Sequence, residues 1–440
     1  MRRKAYEALS AWSARGAKRP LLVLGARQVG KSYLVERFLN AEFKHHITLN
    51  LMDRKDVVAL FSEPIPARKK LENLEVLLGE SIDFSNTALF FDEVQESEDL
   101  IESLKYFSES DTPYKIICAG SLLGVKLSRF TRSFPVGKVE FLQMHPLDFE
   151  EYLDACGEEK LAASIRESLA GNAPLPVPLH QRALDLFKNH LCCGGMPDAV
   201  VSLINAQNRL AGVDKDILTA ITASYLVDMT KHVKNGFESA RIESVYRSVP
   251  AQLANSSHKF QLGRVRKGAR SREYYSALEW LISSGMVYEC QEVSTPKMPL
   301  RGYVDASVFK LFLNDTGLLI STLEIPFAAV VFEEEFPYRG VLCENYVATQ
   351  FKAAGLNLYY WRNASNSEVD FLVSHGVEVW PVEVKAGTSV HSPSLNFYRS
   401  KFHPECSIRI SAKNFGVSDT VRSVPLYATT ALAEELIAQV

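Results

Sequence analysis

Apolar runs that stop abruptly at small or acidic residues punctuate the first third of the chain. Leu21–Leu24 stops at Gly25, Thr87–Phe91 stops at Asp92-Glu93, and Tyr114–Ala119 stops at Gly120-Ser121. Unbroken hydrophobic runs of this length read as strands buried on both faces of a parallel sheet. A helical pattern, Tyr33–Leu39, follows the first run, and strand and helix patterns alternate to about residue 150. That alternation predicts an α/β fold, a parallel sheet covered by helices on both faces.

The texture then changes. His145-Pro146-Leu147 reads as a turn into a capped helix from Asp148 to Leu153, and the Pro-rich stretch 173–178 as a loop or hinge. Helical patterning continues to about residue 235, interrupted at Gly194-Gly195-Met196-Pro197. Helices are predicted over 244–253 and over Ser271–Ser284, the second closed by Gly285, with strand patterns at 286–290 and 309–313. Helices followed by a hairpin predict a winged helix. The last hundred residues read as a helix at 340–348 and strands at 358–362, 368–373 and 379–385. The expected partition is 1–155 (α/β), 156–240 (helical), 241–330 (winged-helix-like) and 331–440 (a second α/β domain).

Composition narrows the classes. A net charge of −3 over 440 residues gives no global attraction to nucleic acid, so such binding would need a local patch. No apolar run approaches the length of a membrane span, and the start Met1-Arg2-Arg3-Lys4 lacks a leader's apolar core, so a cytoplasmic protein is expected. Seven cysteines without Cys-x-x-Cys spacing fit a reducing compartment, and the scattered histidines suggest no zinc site.

The chemistry begins where the first strand empties into Gly25-Ala26-Arg27-Gln28-Val29-Gly30-Lys31-Ser32 ahead of a helix. Gly-x-x-x-x-Gly-Lys-Ser in a strand–loop–helix context is a P-loop. Its backbone N–H groups and the helix N-terminus cradle phosphates. Lys31 would reach the β/γ-phosphates, Ser32 would ligate Mg²⁺, and Tyr33 completes the nucleotide-binding set. Asp92 would share the Mg²⁺, and Glu93 is placed to polarise the attacking water as general base. Ser121 is either a γ-phosphate sensor of the kind AAA-type ATPases carry or a cap for the helix that follows. Arg129 and Arg132 are candidates for an arginine finger reaching a neighbouring subunit.

Two further clusters carry charge. Between His258 and Arg272 there is no acid, while Lys259, Arg264, Arg266, Lys267, Arg270 and Arg272 are basic, a candidate phosphate-gripping face for DNA. In the last domain, Glu383 and Lys385 share one strand face, Asp370 sits on the preceding strand and Glu344 on a helix. Two carboxylates can chelate Mg²⁺ while a lysine steadies developing charge, the arrangement of PD-(D/E)xK nucleases.

Together these residues resemble a family of bacterial and archaeal AAA-type P-loop ATPases that end in a domain of unknown function. The marks are the P-loop, Phe91-Asp92-Glu93-Val94-Gln95, Ala119-Gly120-Ser121, Gly194-Gly195-Met196-Pro197, Ser271-Arg272-Glu273-Tyr274, Asn314–Leu319, Glu344-Asn345, Glu368-Val369-Asp370 and Pro381–Lys385. The resemblance implies an ATPase core binding ATP and Mg²⁺, a helical and winged-helix middle, and a restriction-endonuclease-like C-terminal fold. One departure stands out. Relatives commonly carry Gly-Arg where this chain has Gly137-Lys138, which keeps the charge but loses the bidentate fork. The leading expectation is an ATPase driving rearrangement on DNA or a DNA-associated partner. The alternatives are a slow nucleotide-gated switch that recruits a protein, and an ATP-regulated nuclease. Ring, dimer and monomer all remain open.

Overall fold

The computed structural model describes the chain except residues 129–134, 136, 232–235, 256–258, 267–270, 333–335, 364–366, 390 and 440. The described residues cluster into two compact units rather than four segments: Arg2–His145 with Ser283–Gly285, and Pro146–Ile282 with Met286–Val440 and Met1. None of the described helices is long and apolar enough to cross a membrane.

In the first unit, β1 (Leu21–Leu24), β2 (His45–Asn50), β3 (Thr87–Asp92), β4 (Lys115–Ala119) and β5 (Glu140–Gln143) form one sheet in the order β2-β3-β4-β1-β5. Every pairing is parallel, so all five carboxyl ends lie along one edge. The apolar runs are continuous because both faces are covered. Leu22, Leu89, Phe91, Ile116 and Cys118 pack with Phe61, Leu104 and Phe107 on one face, while Val23, Phe90 and Ile117 are fully buried on the other. Phe61 meets Phe91 and Phe107 edge to face, with centroids 5.7 and 6.5 Å apart. Truncating it to alanine would cost about 3–5 kcal/mol. The helix Lys31–Glu42 buries Leu34, Val35, Phe38 and Leu39, one stripe at helical spacing.

The second unit begins with the expected capped helix, Phe149–Ala155. Its capping box pairs the Asp148 side chain with Glu151 N and the Glu151 side chain with Asp148 N. Helices Glu159–Gly171, Val177–Cys193, Pro197–Asn205, Lys215–Lys231 and Gly236–Leu253 follow, with Pro178 in the first turn of its helix, where a missing N–H costs nothing. The remaining strands, β6 (Val287–Val293), β7 (Val304–Leu313), β8 (Leu358–Arg362), β9 (Glu368–His375), β10 (Glu378–Val384), β11 (Ser407–Ser411), β12 (Gly416–Ser418) and β13 (Val421–Pro425), form one mixed sheet. Its order is β12-β13-β11-β10-β9-β8-β6-β7.

This sheet runs across the expected boundary at residue 330 and takes up the hairpin expected as a wing. The hairpin β6–β7 forms, but β6 also pairs in parallel with β8 (Cys290↔Leu358), so it extends the C-terminal sheet instead of standing free as a wing. Residues 241–330 and 331–440 therefore share one core. The hairpin is local and legible in sequence; the parallel partner lies far along the chain and is chosen by burial.

Several segments that looked like functional marks are structural joints. Asp315 Oδ2 accepts a hydrogen bond from Gly195 N at 2.6 Å, and its Oδ1 accepts one from Leu318 N at 3.0 Å, capping the helix Thr316–Thr322. A Cβ on Gly194 would lie 2.1 Å from Asp315 Oδ1, and one on Gly195 would lie 2.1 Å from Leu147 O, so both positions require glycine. Burial pushes the Asp315 carboxyl up to about 6 against the pull of these N–H donors. Asn345 clamps β7 with both ends of its amide, accepting from Leu313 N at 2.9 Å and donating to Leu313 O at 3.0 Å.

Candidate functional site

The carboxyl edge of the parallel sheet gathers the residues expected to handle a nucleotide. Past β1 the chain takes left-handed conformations at Gly25 (φ 141°), Gln28 (φ 64°) and Gly30 (φ 89°). Gly25 is required sterically, since a Cβ there would lie 2.3 Å from Met144 O. Gly30 leads into Lys31–Glu42, whose N-terminus has no side-chain cap and no acid in its first turn. Such a terminus presents its N–H groups and positive dipole end to an anion.

Lys31 is buried, and its Nζ donates to Gly25 O at 2.9 Å and Ala26 O at 2.7 Å. Ser32 Oγ donates to Asp92 Oδ2 at 2.7 Å, so the two oxygen donors expected to hold Mg²⁺ converge. Asp92 Oδ1 accepts from Glu93 N at 3.0 Å. Burial, with some help from the Glu93 charge, raises the Asp92 carboxyl above its ordinary value, against the Ser32 hydrogen bond and the Lys31 charge. Glu93 stands at the end of β3 in a left-handed conformation (φ 53°). Ser121 lies two residues past β4, the strand between β3 and β1, and two residues ahead of the helix Leu123–Ser128. Arg27 is half-buried, Ala26 and Val29 are buried, and Tyr33 is exposed on the first turn of the helix.

Two residues escaped the sequence reading. Buried Arg3 donates from Nη1 to Val29 O at 2.9 Å and from Nη2 to His145 O at 2.6 Å, fixing the P-loop from a position no spacing rule marks. Gln95 belonged to a quoted segment without an assigned role. Its Nε2 donates to Glu93 Oε2 at 2.5 Å.

Arg129 and Arg132 lie outside the described residues, as do Lys267 and Arg270. Arg264 and Arg266 are exposed at and just past the short helix Leu262–Val265. Lys259 is engaged with Glu292 at 2.9 Å, and Arg272 begins the helix Ser271–Ser283. Lys138, which replaces the arginine of the resemblance, pairs with Glu109 at 3.0 Å.

The second expected metal site assembles differently from the sequence reading. Glu344 turns to Lys310, whose Nζ lies 2.7 Å from Glu344 Oε1 and 2.7 Å from Glu368 Oε1 and is fully buried. The Lys310 ammonium also stands 4.9 Å from the Tyr360 ring. Glu383 pairs with Lys385 at 2.7 Å and accepts from Ser392 Oγ at 2.8 Å. Asp370 Oδ2 accepts from Val384 N at 2.7 Å. Burial first, then Glu383 and Glu344, raises the Asp370 carboxyl well above its usual range. Thus Glu344, Asp370, Glu383 and Lys385 come close enough to feel one another, yet no group of three His, Cys, Asp or Glu among the described residues is placed to hold a metal ion. The partner that the sequence pattern did not include is Lys310 of β7, which takes Glu344.

The comparisons agree with this geometry at the level of domains. A family described as an AAA domain matches residues 17–153. Two domains of unknown function match 184–328 and 339–429. No curated protein matches the chain. Among solved structures, the Walker-type ATPase PABY2304 of Pyrococcus abyssi is 16% identical over 73% of this chain and 95% of its own, with a TM-score of 0.46. The Aeropyrum pernix ORC2 protein in its ADPNP–ADP complexes is 13% identical over 74% and 92%, with a TM-score of 0.38. Residues 17–153 are thus similar to an AAA domain, in keeping with the loop Gly25–Ser32 and the parallel sheet described above.

Proposed function

We propose that the chain is an ATPase that couples Mg·ATP binding and hydrolysis to rearrangement of its second unit, acting on DNA or a DNA-associated partner. The observation carrying the nucleotide reading is the convergence of Ser32 Oγ on Asp92 Oδ2, beside a buried lysine whose Nζ donates to the loop carbonyls Gly25 O and Ala26 O. A hydroxyl and a carboxylate are hard oxygen donors of the kind Mg²⁺ takes, so the residues fit that ion. When bound, Mg²⁺ would neutralise charge on the β- and γ-phosphates, and Ser32 and Asp92 would hold it.

The rest is done by the chain's own groups. Lys31 exchanges two neutral carbonyl acceptors for anionic phosphate oxygens, so that its ammonium gains acceptors of opposite charge. The uncapped helix N-terminus supports the same anion. The Glu93 carboxylate accepts the proton of the attacking water, and Ser121 senses the γ-phosphate from the neighbouring strand end. DNA contact is supported by the exposed arginines Arg264 and Arg266, which would meet phosphates.

Turnover by the purified full-length chain, with and without DNA, tests the proposal. It is expected to vanish in Lys31→Ala and Glu93→Gln. Turnover at background under both conditions, with nucleotide bound equally by wild type and Lys31→Ala, would overturn it. A slow switch that recruits a protein partner is favoured by one observation, the engagement of Lys138 with Glu109. It predicts tight ATP binding with negligible turnover and unequal partner affinity in the ATP and ADP states. The ATP-regulated nuclease is the further alternative, and it would have to work with Glu344 paired to Lys310 and Glu383 paired to Lys385.

A further inference from the structure

We propose that Gln95 is the positioning residue of the Walker B glutamate, its side-chain amide wedged between Glu93 and the end of β4; this rests on the ATPase reading above. The single turn Val94–Glu96 brings Gln95 back over Glu93. Its Nε2 donates to Glu93 Oε2 at 2.5 Å, which leaves the other carboxylate oxygen to take a proton from water. The amide is buried, and its Oε1 has no hydrogen-bond partner among the described residues. A Cβ added to Gly120 would lie 2.0 Å from that Oε1 and 3.1 Å from the amide carbon. Gly120 is therefore the residue whose missing side chain makes room for the amide, and Ser121 is its immediate neighbour.

Three facts then have one explanation. Glu93 holds a left-handed backbone conformation that residues with side chains rarely adopt, and the amide returning from two residues on fixes its carboxylate there. A polar group is buried with one end unsatisfied, a cost a merely structural side chain would avoid. A glycine follows β4 at the one place where any larger residue would displace that group. Holding a general base in a single orientation raises the fraction of encounters in which it can accept the proton. The link also ties Glu93 to the strand end carrying the γ-phosphate sensor, so base and sensor are set by one contact.

The test separates this role from packing. Gln95→Met keeps the shape and removes the donor. Its kcat is expected to fall roughly tenfold to a hundredfold, with KM and the calorimetric affinity for a non-hydrolysable ATP analogue within about twofold of wild type. Gln95→Asn keeps an amide but shortens its reach, so kcat is expected to fall as in Gln95→Met, again with the affinity for the analogue within about twofold of wild type. Gly120→Ala is expected to lower kcat in the wild-type background and to change it little further in Gln95→Ala, where no side chain is left for the added methyl to displace. Should Gln95→Met fail to fold, the kcat values of Gln95→Asn and Gly120→Ala decide. A kcat for Gln95→Met within twofold of wild type, or for Gln95→Asn and Gly120→Ala where Gln95→Met does not fold, overturns the proposal while leaving the ATPase reading intact. Loss of that reading would show instead as wild-type protein that neither binds the analogue nor turns over ATP, and both would then fall.

Discussion

Two lysines in this chain face opposite situations, and the contrast explains where chemistry is available. In the first unit Lys31 rests on the carbonyls of Gly25 and Ala26, neutral acceptors that it can leave for a phosphate. In the second unit Lys310 lies between the carboxylates of Glu344 and Glu368, fully buried and already neutralised. A lysine on carbonyls is a poised ligand for an anion. A lysine between buried carboxylates is a finished ion pair, and the acids around it are not free for a metal. A lysine thus serves the proposed nucleotide site in one place and a structural clasp in the other, because burial makes separation of the second set costly.

The largest effect should come from breaking the clasp. Lys310→Met leaves two acids without their counter-charge and is expected to destabilise the protein by about 3–5 kcal/mol, read by urea unfolding. Lys310→Met with Glu344→Gln and Glu368→Gln should recover most of that loss. The contrast breaks if Lys310→Met unfolds like wild type. Lys31→Ala should do the reverse, lowering ATP turnover by about 10²–10³-fold while moving stability by only about 1 kcal/mol, since its known partners are backbone carbonyls.

The pH dependences should differ in the same way. The Lys310 ammonium is held above its ordinary value by Glu344 and Glu368 despite burial, so its share of stability is full below pH 10.5 and is lost only as pH rises through the higher folded value. The Asp92 carboxyl is raised by burial, so the native state protonates it more readily than the unfolded chain. Its stability contribution therefore declines as pH rises from 3.8 through the folded value, whereas Mg·ATP binding, which needs the carboxylate, rises over the same window. Calorimetric titration should place the acid limb of binding above 3.8, and Glu93→Gln should move it down by removing a neighbouring negative charge. A limb at or below the ordinary carboxylate value would break this part of the comparison. The smallest effect is expected at the half-exposed pair of Lys138 and Glu109, where Glu109→Ala should change stability by less than about 1 kcal/mol.

The parallel sheet, the P-loop and the Walker B acids were legible in the chain because each is contiguous. The strand Leu21–Leu24, the turn and the helix from Lys31 form a single run, and the acids end the apolar strand that presents them. The helix of Glu344 and the strands carrying Asp370 and Glu383 were legible too, from their periodicity. What those acids do was not. Lys310 sits on a strand expected to belong to a different domain, and its place beside Glu344 and Glu368 depends on β6 pairing with β8.

By itself, then, the order of residues determined the phosphate loop, the acids of β3 and the strand and helix types, because hydrogen bonding and side-chain periodicity act over a few residues. Tertiary structure alone decided that the expected wing joins the last sheet, that Arg3 and Gln95 brace the loop and Glu93, and that the C-terminal acids close on a lysine. Those outcomes follow from pairing and burial between distant segments, where removing charge from water makes each ionised group take the nearest partner the fold delivers.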